Sequence, residues 1–357
     1  MSVPADPIAA ATHADPYPFY ADLVVRRPFA FDERLGLWVA ASAAAVTSVL
    51  HCTAALVRPP GQPVPPALAG GAAGDIFGRF LRMRDGAGHA TLRGPVSDAV
   101  ERLGPDAVAA ATDRQLDLLL ASGHALDDVI DRLPPLVAGC LMGVPDSDLP
   151  DIAGLAATFA RGIAPGRPAD QVVAAHMAAA ELGDRVPRLQ VRAFAGIDAD
   201  LAVANLIGLM LQSYEATVGL IGLALMAAAR WPQPAAENPD AFVLEVLRHD
   251  AAIQNTRRFM AADTVITGRT VAAGQGVLVV LAAANRDPQA NPAPGDFRPD
   301  RPGRAIFTFG LGGHRCPARG MAVTIAATAL GRLAGRVRAD APVRYRPSQN
   351  ARMPVFG

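Results

Sequence analysis

The feature that most constrains this chain is a glycine-rich turn that leads into a cysteine, at residues 307–322. The stretch reads FTFGLGGHRCPARGMA, and an apolar segment at residues 317–333 continues from it. Glycines permit a tight backbone turn, and the spacing of the apolar residues predicts a helix after it. The turn would therefore bring Cys316 to a helix N-terminus, whose partial positive charge favours the thiolate. A thiolate at such a position is a soft ligand for a metal.

The turn resembles the haem-binding signature of the cytochrome P-450 family, Phe-Gly-x-Gly-x-His-x-Cys-x-Gly. The pattern matches without a gap at Phe309, Gly310, Gly312, His314 and Cys316, while its last glycine is Ala318 here. The resemblance implies that Cys316 binds the iron of haem b (iron protoporphyrin IX), one known setting for a cysteine thiolate. Phe309 and His314 would help to hold the cofactor. The residues alone leave open a buried structural cysteine beside a glycine turn.

The resemblance also implies a fold and its supporting motifs. The fold would be mainly α with small β-sheets, shaped like a triangular prism, with the haem between a long distal helix and a proximal helix that carries the cysteine. Glu245 and Arg248 resemble the family's Glu-x-x-Arg motif, and their i,i+3 spacing places both on one helix face. Arg301 is the nearest candidate for the third member of this structural ion pair.

Haem propionates are anionic and require cationic or hydrogen-bonding partners. His89 and Arg93 resemble the family's His-x-x-x-Arg, whose i,i+4 spacing points both side chains the same way. Arg258 fits the segment that supplies a second arginine, and His314 would be another partner. A solvated surface charge is the alternative for any one of them.

The predicted long helix departs from the family at its centre. Glu215 keeps the usual acid, but Ala216 stands where the family has threonine. Thr217 lies one residue further on, which rotates it by about 100° around the helix. Gln212 shares a face with Ala216, so we hypothesise that Gln212, Glu215 and ordered water replace the usual acid–alcohol relay. The alternative is that Gln212 only fills space or bonds the helix backbone.

A second departure is Pro317, directly after the cysteine. Proline suits the first helical position, where an N–H has no helical partner. Proline also removes a backbone donor that could soften the thiolate. We therefore expect a lower haem potential than in a Pro317→Leu variant.

Hydrophobic periodicity outlines the rest of the chain. Helical spacing predicts helices at residues 90–103, 106–121, 198–230, 238–250 and 317–333. Strands are predicted at residues 37–40, 264–266 and 277–281, and Pro- and Gly-rich loops at residues 59–71, 162–168 and 286–304. The sequence shows no internal repeat and no low-complexity linker, so the pattern predicts one mainly α domain over residues 1–357. By the resemblance, this chain is a few tens of residues shorter than is usual in the family.

Charge balance, cysteine count and apolar pattern argue against several classes of protein. The 33 basic and 33 acidic residues cancel, which argues against a general nucleic-acid or anionic-membrane binder. The three cysteines suit a reducing cytoplasm, and the first 20 residues lack the pattern of a signal peptide. The apolar part of the long helix is interrupted by polar residues, which favours a buried helix over a membrane span.

The resemblance implies a haem-thiolate monooxygenase that acts on a small-molecule substrate with O2. Electrons would come from a separate ferredoxin-type donor and reductase, because no flavin or iron–sulfur segment is recognisable. Two alternatives remain open. One is a P-450 enzyme that uses peroxide or performs oxidative coupling or desaturation, and the other is a degenerate haem-binding protein.

Overall fold

The computed structural model describes residues 3–189, 194, 196–340 and 343–357. Contacts within the chain divide it into two units. The first, called here the sheet unit, comprises Met1–Gly61, Gly219–Cys316 and Leu330–Gly357. The second, the helical unit, comprises Gln62–Val218 and Pro317–Ala329. A single domain over residues 1–357 stays a prediction.

The described residues are mainly helical, with small sheets, as predicted. The α-helices are α1 (Tyr17–Arg26), α2 (Ala43–His51), α3 (Ala72–Phe77), α4 (Gly86–Glu101), α5 (Pro105–Ala121), α6 (Leu126–Leu141), α7 (Leu149–Ile163), α8 (Ala169–Arg188), α9 (Ala199–Arg230), α10 (Pro232–Glu237), α11 (Pro239–His249), α12 (Leu281–Asn285) and α13 (Arg319–Leu333). The strands are β1 (Phe29–Asp32), β2 (Leu37–Ala40), β3 (Ala55–Leu56), β4 (Thr256–Met260), β5 (Thr264–Ile266), β6 (Arg269–Val271), β7 (Gly276–Val279), β8 (Arg344–Tyr345) and β9 (Pro354–Val355).

A five-stranded sheet in the order β1-β2-β7-β4-β3 is the framework of the sheet unit. β2 and β7 are parallel, and the other neighbouring pairs are antiparallel. Val277 and Val279 of β7 lie in one apolar cluster with Val49 of α2, whereas Leu278 lies in another with Tyr20 of α1. Successive side chains point to opposite faces of a strand, so β7 is buried on both faces and its sequence is continuously apolar.

The helical unit is built from neighbouring helices that pack in pairs. α8 packs against α7 and α3, and α6 packs against α5 and α7. Asn205 of α9 fixes the segment before α4, because its Oδ1 accepts from Leu81 N at 2.8 Å and its Nδ2 donates to Arg79 O at 3.1 Å. The front half of α9 therefore has a defined position in the helical unit.

The long helix α9 begins where the sequence predicts. Asp198 Oδ1 accepts from the backbone N–H groups of Asp200 (3.0 Å) and Leu201 (3.2 Å), which is an N-cap arrangement. Among the described residues this is the one helix long and apolar enough to cross a membrane, and 78% of its most apolar window is buried inside the protein. Such burial is typical of the core helix of a soluble protein.

Most predicted elements are confirmed, and three differ clearly in extent, one of which, the helix after the cysteine turn, is described with the functional site. The predicted strand at residues 277–281 ends at Val279, because Ala284 N–H donates to Val280 O and starts α12. The helix predicted at residues 90–103 already begins at Gly86 and continues through Pro95. α9 ends at Arg230 as predicted, and Pro232 opens the short helix α10.

Candidate functional site

Cys316 ends a turn that is closed by backbone hydrogen bonds. Gly310 N–H donates to Phe307 O, and Cys316 N–H donates to Phe309 O, both at 2.8 Å. A short 3-10 helix, Gly312–His314, lies inside the turn. The backbone of Cys316 is thus fixed, its side chain is half-buried, and none of the three cysteines forms a disulfide.

Two glycines in this turn have left-handed backbone angles, with φ of +70° at Gly310 and +64° at Gly312. A Cβ at Gly312 would lie 2.8 Å from Leu50 O at the end of α2, so no side chain fits there. At Gly310 the nearest atom outside the adjoining residues would be 3.5 Å away, so the backbone angle alone favours glycine. A soft sulfur donor on a turn that excludes side chains fits a haem whose iron takes an axial thiolate.

The helix after the turn begins later than predicted. Ala322 N–H donates to Ala318 O at 3.0 Å, which makes Ala318 the N-cap of α13. Pro317 therefore precedes the N-cap, and its predicted place at the first helical position is wrong. The reason is that the turn continues through residue 318 before helical bonding starts. Pro317 lacks an N–H in either position, so the expected effect on the thiolate is unchanged.

A buried asparagine holds the segment that enters the turn. Asn285 Oδ1 accepts from Phe307 N at 2.7 Å, and its Nδ2 donates to Thr308 Oγ1 at 2.8 Å and to Leu247 O at 3.0 Å. The side chain is fully buried at the end of α12. These bonds connect the C-terminal turn of α11 to the cysteine turn. Sequence reasoning missed Asn285 and Thr308, since neither belongs to a motif with a recognisable spacing.

The predicted ion pair on α11 is present and fully buried. Arg248 Nη2 lies 2.6 Å from Glu245 Oε1, and both side chains are 0% exposed. Arg301 joins at 3.4 Å, as the resemblance implied. Arg304 Nε donates to Glu245 Oε2 at 2.9 Å, a partner that the sequence analysis missed. Burial raises the pKa of Glu245, but hydrogen bonds from Arg248 and from Arg298 N–H outweigh it and lower that pKa below its ordinary value.

Three other residues that were predicted to hold the cofactor belong to the sheet unit: Arg258, Phe309 and His314. Arg258 is buried on β4, and its Nη1 donates to Arg257 O at 2.8 Å. Phe309 and His314 are half-buried in the cysteine turn. Their contacts with a cofactor stay predictions.

In the helical unit, the exposure of α9 distinguishes two faces. Gln212, Glu215 and Ala216 are half-buried, whereas Ser213 and Thr217 are buried. Residues three and four apart on a helix share a face, so the first three lie together. Thr217 is 2% exposed and lies on another face, in agreement with the predicted rotation. The helix thus presents an amide, a carboxylate and a methyl group where the family has small residues, an acid and a hydroxyl.

An arginine from the α7–α8 loop holds the acid of this face. Arg167 Nη2 donates to Glu215 Oε1 at 3.3 Å, and each side chain is 19% exposed. Arg161, at the end of α7, donates from Nη1 to the Tyr214 hydroxyl at 3.3 Å. The carboxylate therefore has a cationic partner that sequence reasoning did not identify, because 48 residues separate the two.

The side-chain amide of Gln212 has no hydrogen-bond partner within the described part of the chain, which speaks against a bond from this side chain to the helix backbone. A Cβ at Gly208, one turn earlier, would lie 3.1 Å from Gln212 Nε2 and 2.8 Å from Phe80 Cδ1. The side chain of Gln212 therefore extends back over Gly208, and glycine there leaves room for it. Its amide retains full capacity to donate and accept.

His89 and Arg93 lie one turn apart on α4, and both are half-buried. Leu92 and Val96, on the neighbouring face of α4, are buried. The geometry thus confirms that the two polar side chains share a face. The predicted site residues are divided between the units: Arg258, Phe309, His314 and Cys316 belong to the sheet unit, and His89, Arg93, Gln212, Glu215, Ala216 and Thr217 to the helical unit. That they meet at one cofactor stays a prediction.

Comparison with known proteins agrees with this turn and fold. The family model described as Cytochrome P-450 matches residues 239–340. Cytochrome P-450 144 of Mycobacterium tuberculosis is 31% identical over 219 residues, which cover 54% of this chain and 50% of that protein. Mycinamicin VIII C21 methyl hydroxylase of Micromonospora griseorubida is 31% identical over 166 residues, which cover 43% of this chain and 42% of that protein. The chain thus matches about half, or less, of the length of these relatives.

The whole fold has solved counterparts. The crystal structure of CalO2 is 25% identical, covers 99% of this chain and 98% of its own, and superposes with a TM-score of 0.82. CalO2 shares the fold of this chain, and the family model spans the buried Glu245 cluster and the cysteine turn. In sequence and in fold, the chain is thus similar to proteins of the cytochrome P-450 family.

Proposed function

We propose that this chain is a haem-thiolate monooxygenase that inserts one oxygen atom from O2 into a small organic substrate of natural-product type. The observation that carries the proposal is the cysteine turn, closed by the Cys316–Phe309 hydrogen bond at 2.8 Å and shaped by Gly310 and Gly312. A relative that is 31% identical is named as a methyl hydroxylase, which supports oxygen insertion as the reaction.

The residues that would hold haem b follow from the donor types in both units. Cys316 would supply a thiolate sulfur to the haem iron, and Phe309 would help to hold the cofactor. Arg258 and His314, with His89 and Arg93 on α4, would bind the propionates through charge-assisted hydrogen bonds. When bound, the haem supplies the reductive activation of O2 and the transfer of one oxygen atom to the substrate.

Electron supply by a separate ferredoxin and its reductase is part of the proposal. Arg315 and Arg319, which flank Cys316 in the sequence, are both exposed. An acidic donor protein would be steered towards positive charge of this kind. The buried α9 and the absence of a disulfide among the three cysteines support a cytoplasmic enzyme that acts outside the membrane.

Proton delivery is assigned to the half-buried face of α9. The Glu215 carboxylate holds or releases a proton while Arg167 keeps it in place, and the Gln212 amide donates a hydrogen bond at the reacting centre. A Gln212→Ala variant should therefore waste more reductant per product formed. Ser213→Ala is the matched control, since Ser213 is buried and donates to Met210 O at 2.7 Å. Unchanged coupling in Gln212→Ala would contradict the relay.

The test of the main proposal is the reduced carbon monoxide difference spectrum of the purified chain. We expect a thiolate-type Soret band, its loss in Cys316→Ser, and its retention in Cys140→Ser. Haem uptake without a thiolate-type band in the unsubstituted protein, or an unchanged band in Cys316→Ser, would overturn the assignment of Cys316.

One observation favours a second candidate, a P-450 enzyme that uses peroxide or performs coupling or desaturation. Ala216 places a methyl group where the family's relay has a hydroxyl, and Thr217 faces elsewhere. Peroxide would bring its own protons and electrons, so such an enzyme would not need the relay. Product formation with hydrogen peroxide but not with ferredoxin, reductase and O2 would favour this candidate over the first.

A further inference from the structure

A pocket of about 380 Å³ lies in the sheet unit, away from the cysteine turn. The end of α1, strand β1, the start of α2 and the β5–β6 hairpin form its walls. Its volume lies within the range of about 300–1,000 Å³ that is common for small-molecule sites. None of its lining residues belongs to the candidate haem site.

The lining combines positive charge with an apolar wall. Arg26, Arg27 and Arg269 contribute guanidinium groups, and Pro28, Ala30 and Ala44 contribute accessible apolar surface. Such a combination suits a ligand with a charged head and an apolar body.

Two of these arginines carry charge that the protein does not compensate. Arg26 Nε lies 2.7 Å from Asp22 Oδ1, one turn earlier on α1, and is neutralised by it. The side chains of Arg27 and Arg269 have no ion pair or hydrogen bond with any described residue. The pocket therefore has a net positive charge in a chain whose total charge is zero.

The hairpin that carries Arg269 is strained where it meets the pocket. Thr267 has φ of +45° and Gly268 has φ of +79°, and they form the two-residue turn between Ile266 and its partner Arg269. Asn and Gly are the residues that favour such angles, and a β-branched residue is rarely found there. Strained residues of this kind cluster at ligand sites, and Thr267 lines the pocket.

We propose that this pocket binds an organic anion with an apolar body, such as an aromatic or aliphatic carboxylate, phosphate or sulfonate. Arg27 and Arg269 bind the anionic head, and the apolar surface of Pro28, Ala30 and Ala44 contacts the apolar body. The proposal is independent of the proposed oxidation chemistry, because it uses none of the same residues.

The test is calorimetric titration of the haem-loaded full chain with naphthalene-2-sulfonate, while the Soret spectrum is recorded in parallel. We expect one binding site, binding that weakens as salt is raised, and an unchanged Soret band. Arg27→Ala and Arg269→Ala should each weaken binding about tenfold, in line with loss of one charge-assisted hydrogen bond. The neutral analogue 2-naphthol should bind more weakly than the sulfonate.

Arg336→Ala is the matched control, because Arg336 is an exposed arginine of the same unit that does not line the pocket. This variant should bind like the unsubstituted protein. Equal affinity of the double variant Arg27→Ala/Arg269→Ala and the unsubstituted chain would overturn the proposal. So would the absence of measurable binding to the unsubstituted chain, or a Soret shift that places the probe at the haem.

Discussion

Replacing Glu245 by glutamine tests the reasoning about the buried ion cluster most directly. The carboxylate of Glu245 accepts hydrogen bonds from Arg248, from Arg298 N–H at 2.9 Å and from Arg304 at 2.9 Å, with Arg301 at 3.4 Å. Glutamine has nearly the same shape but no charge, and it offers one acceptor where the carboxylate has two. The variant would therefore leave three guanidinium groups near a neutral side chain.

The magnitude follows from burial. Glu245 and Arg248 are 0% exposed, and Arg301 is 4% exposed, so water cannot replace the lost anion. Removing one partner of a buried ion pair typically costs about 3–5 kcal/mol. A domain has about 5–15 kcal/mol of stability, so the loss is at least about a fifth of the total.

The assay is urea unfolding followed by circular dichroism, together with the haem content after purification. Glu237→Gln is the control, since Glu237 is exposed on α10 and accepts from Gln233 at 2.8 Å. We expect less than about 0.5 kcal/mol for the control. Glu245→Asp, which keeps the charge, should lose less than Glu245→Gln. A loss below about 1 kcal/mol in Glu245→Gln would refute the argument, because it would mean that the arginines are compensated elsewhere.

Three further changes test separate parts of the structure. Gly312→Ala should lower the free energy of unfolding in urea by about 2 kcal/mol or more, because the new Cβ would lie 2.8 Å from Leu50 O and the residue has a left-handed φ. Gly310→Ala should lower it by about 1 kcal/mol, because only the left-handed φ opposes the substitution there. Pro317→Leu restores a backbone donor near the thiolate and should raise the haem potential in a spectroelectrochemical titration; equal potentials would contradict this. Burial lowers the pKa of His249 to about 4, so its neutral form stabilises the fold above pH 6.5, and that contribution is lost as the pH falls from 6.5 towards 4. His249→Gln should remove up to about 3 kcal/mol of this acid sensitivity, measured as unfolding free energy against pH.

The sequence predicted best those features that depend on local spacing. The closed turn before Cys316 could be predicted because glycines at fixed offsets permit the left-handed backbone angles that such a turn requires. The pair of His89 and Arg93 on one face of α4 follows from helix geometry in the same way. Each of these predictions involves residues no more than about ten positions apart.

Features that depend on the folded chain could not be predicted. Arg304 joins the Glu245 cluster from 59 positions away, and Asn285 reaches Thr308 from 23 positions away. Arg304 and Asn285 have no spacing signature, because tertiary packing selects their partners. Arg301, 56 positions from Glu245, was named only through the resemblance to the family. The start of α13 was displaced for a related reason: helical bonding begins only after the turn that holds Cys316 has closed.

The long helix α9 has both kinds of feature, some that local spacing predicts and some that only the folded chain shows. Its departure from the family at residues 212–217 is therefore best understood from sequence and structure together. The sequence shows that Ala216 replaces a threonine and that Thr217 is rotated away, and the burial of Thr217 agrees with this. Only the structure shows that Gln212 has no hydrogen-bond partner in the described chain and extends over Gly208. A half-buried amide without a partner loses hydrogen-bonding free energy unless water or a ligand meets it. A glutamine at position 212 is therefore better explained by a polar group of substrate, oxygen or water on the half-buried face of α9 than by packing alone.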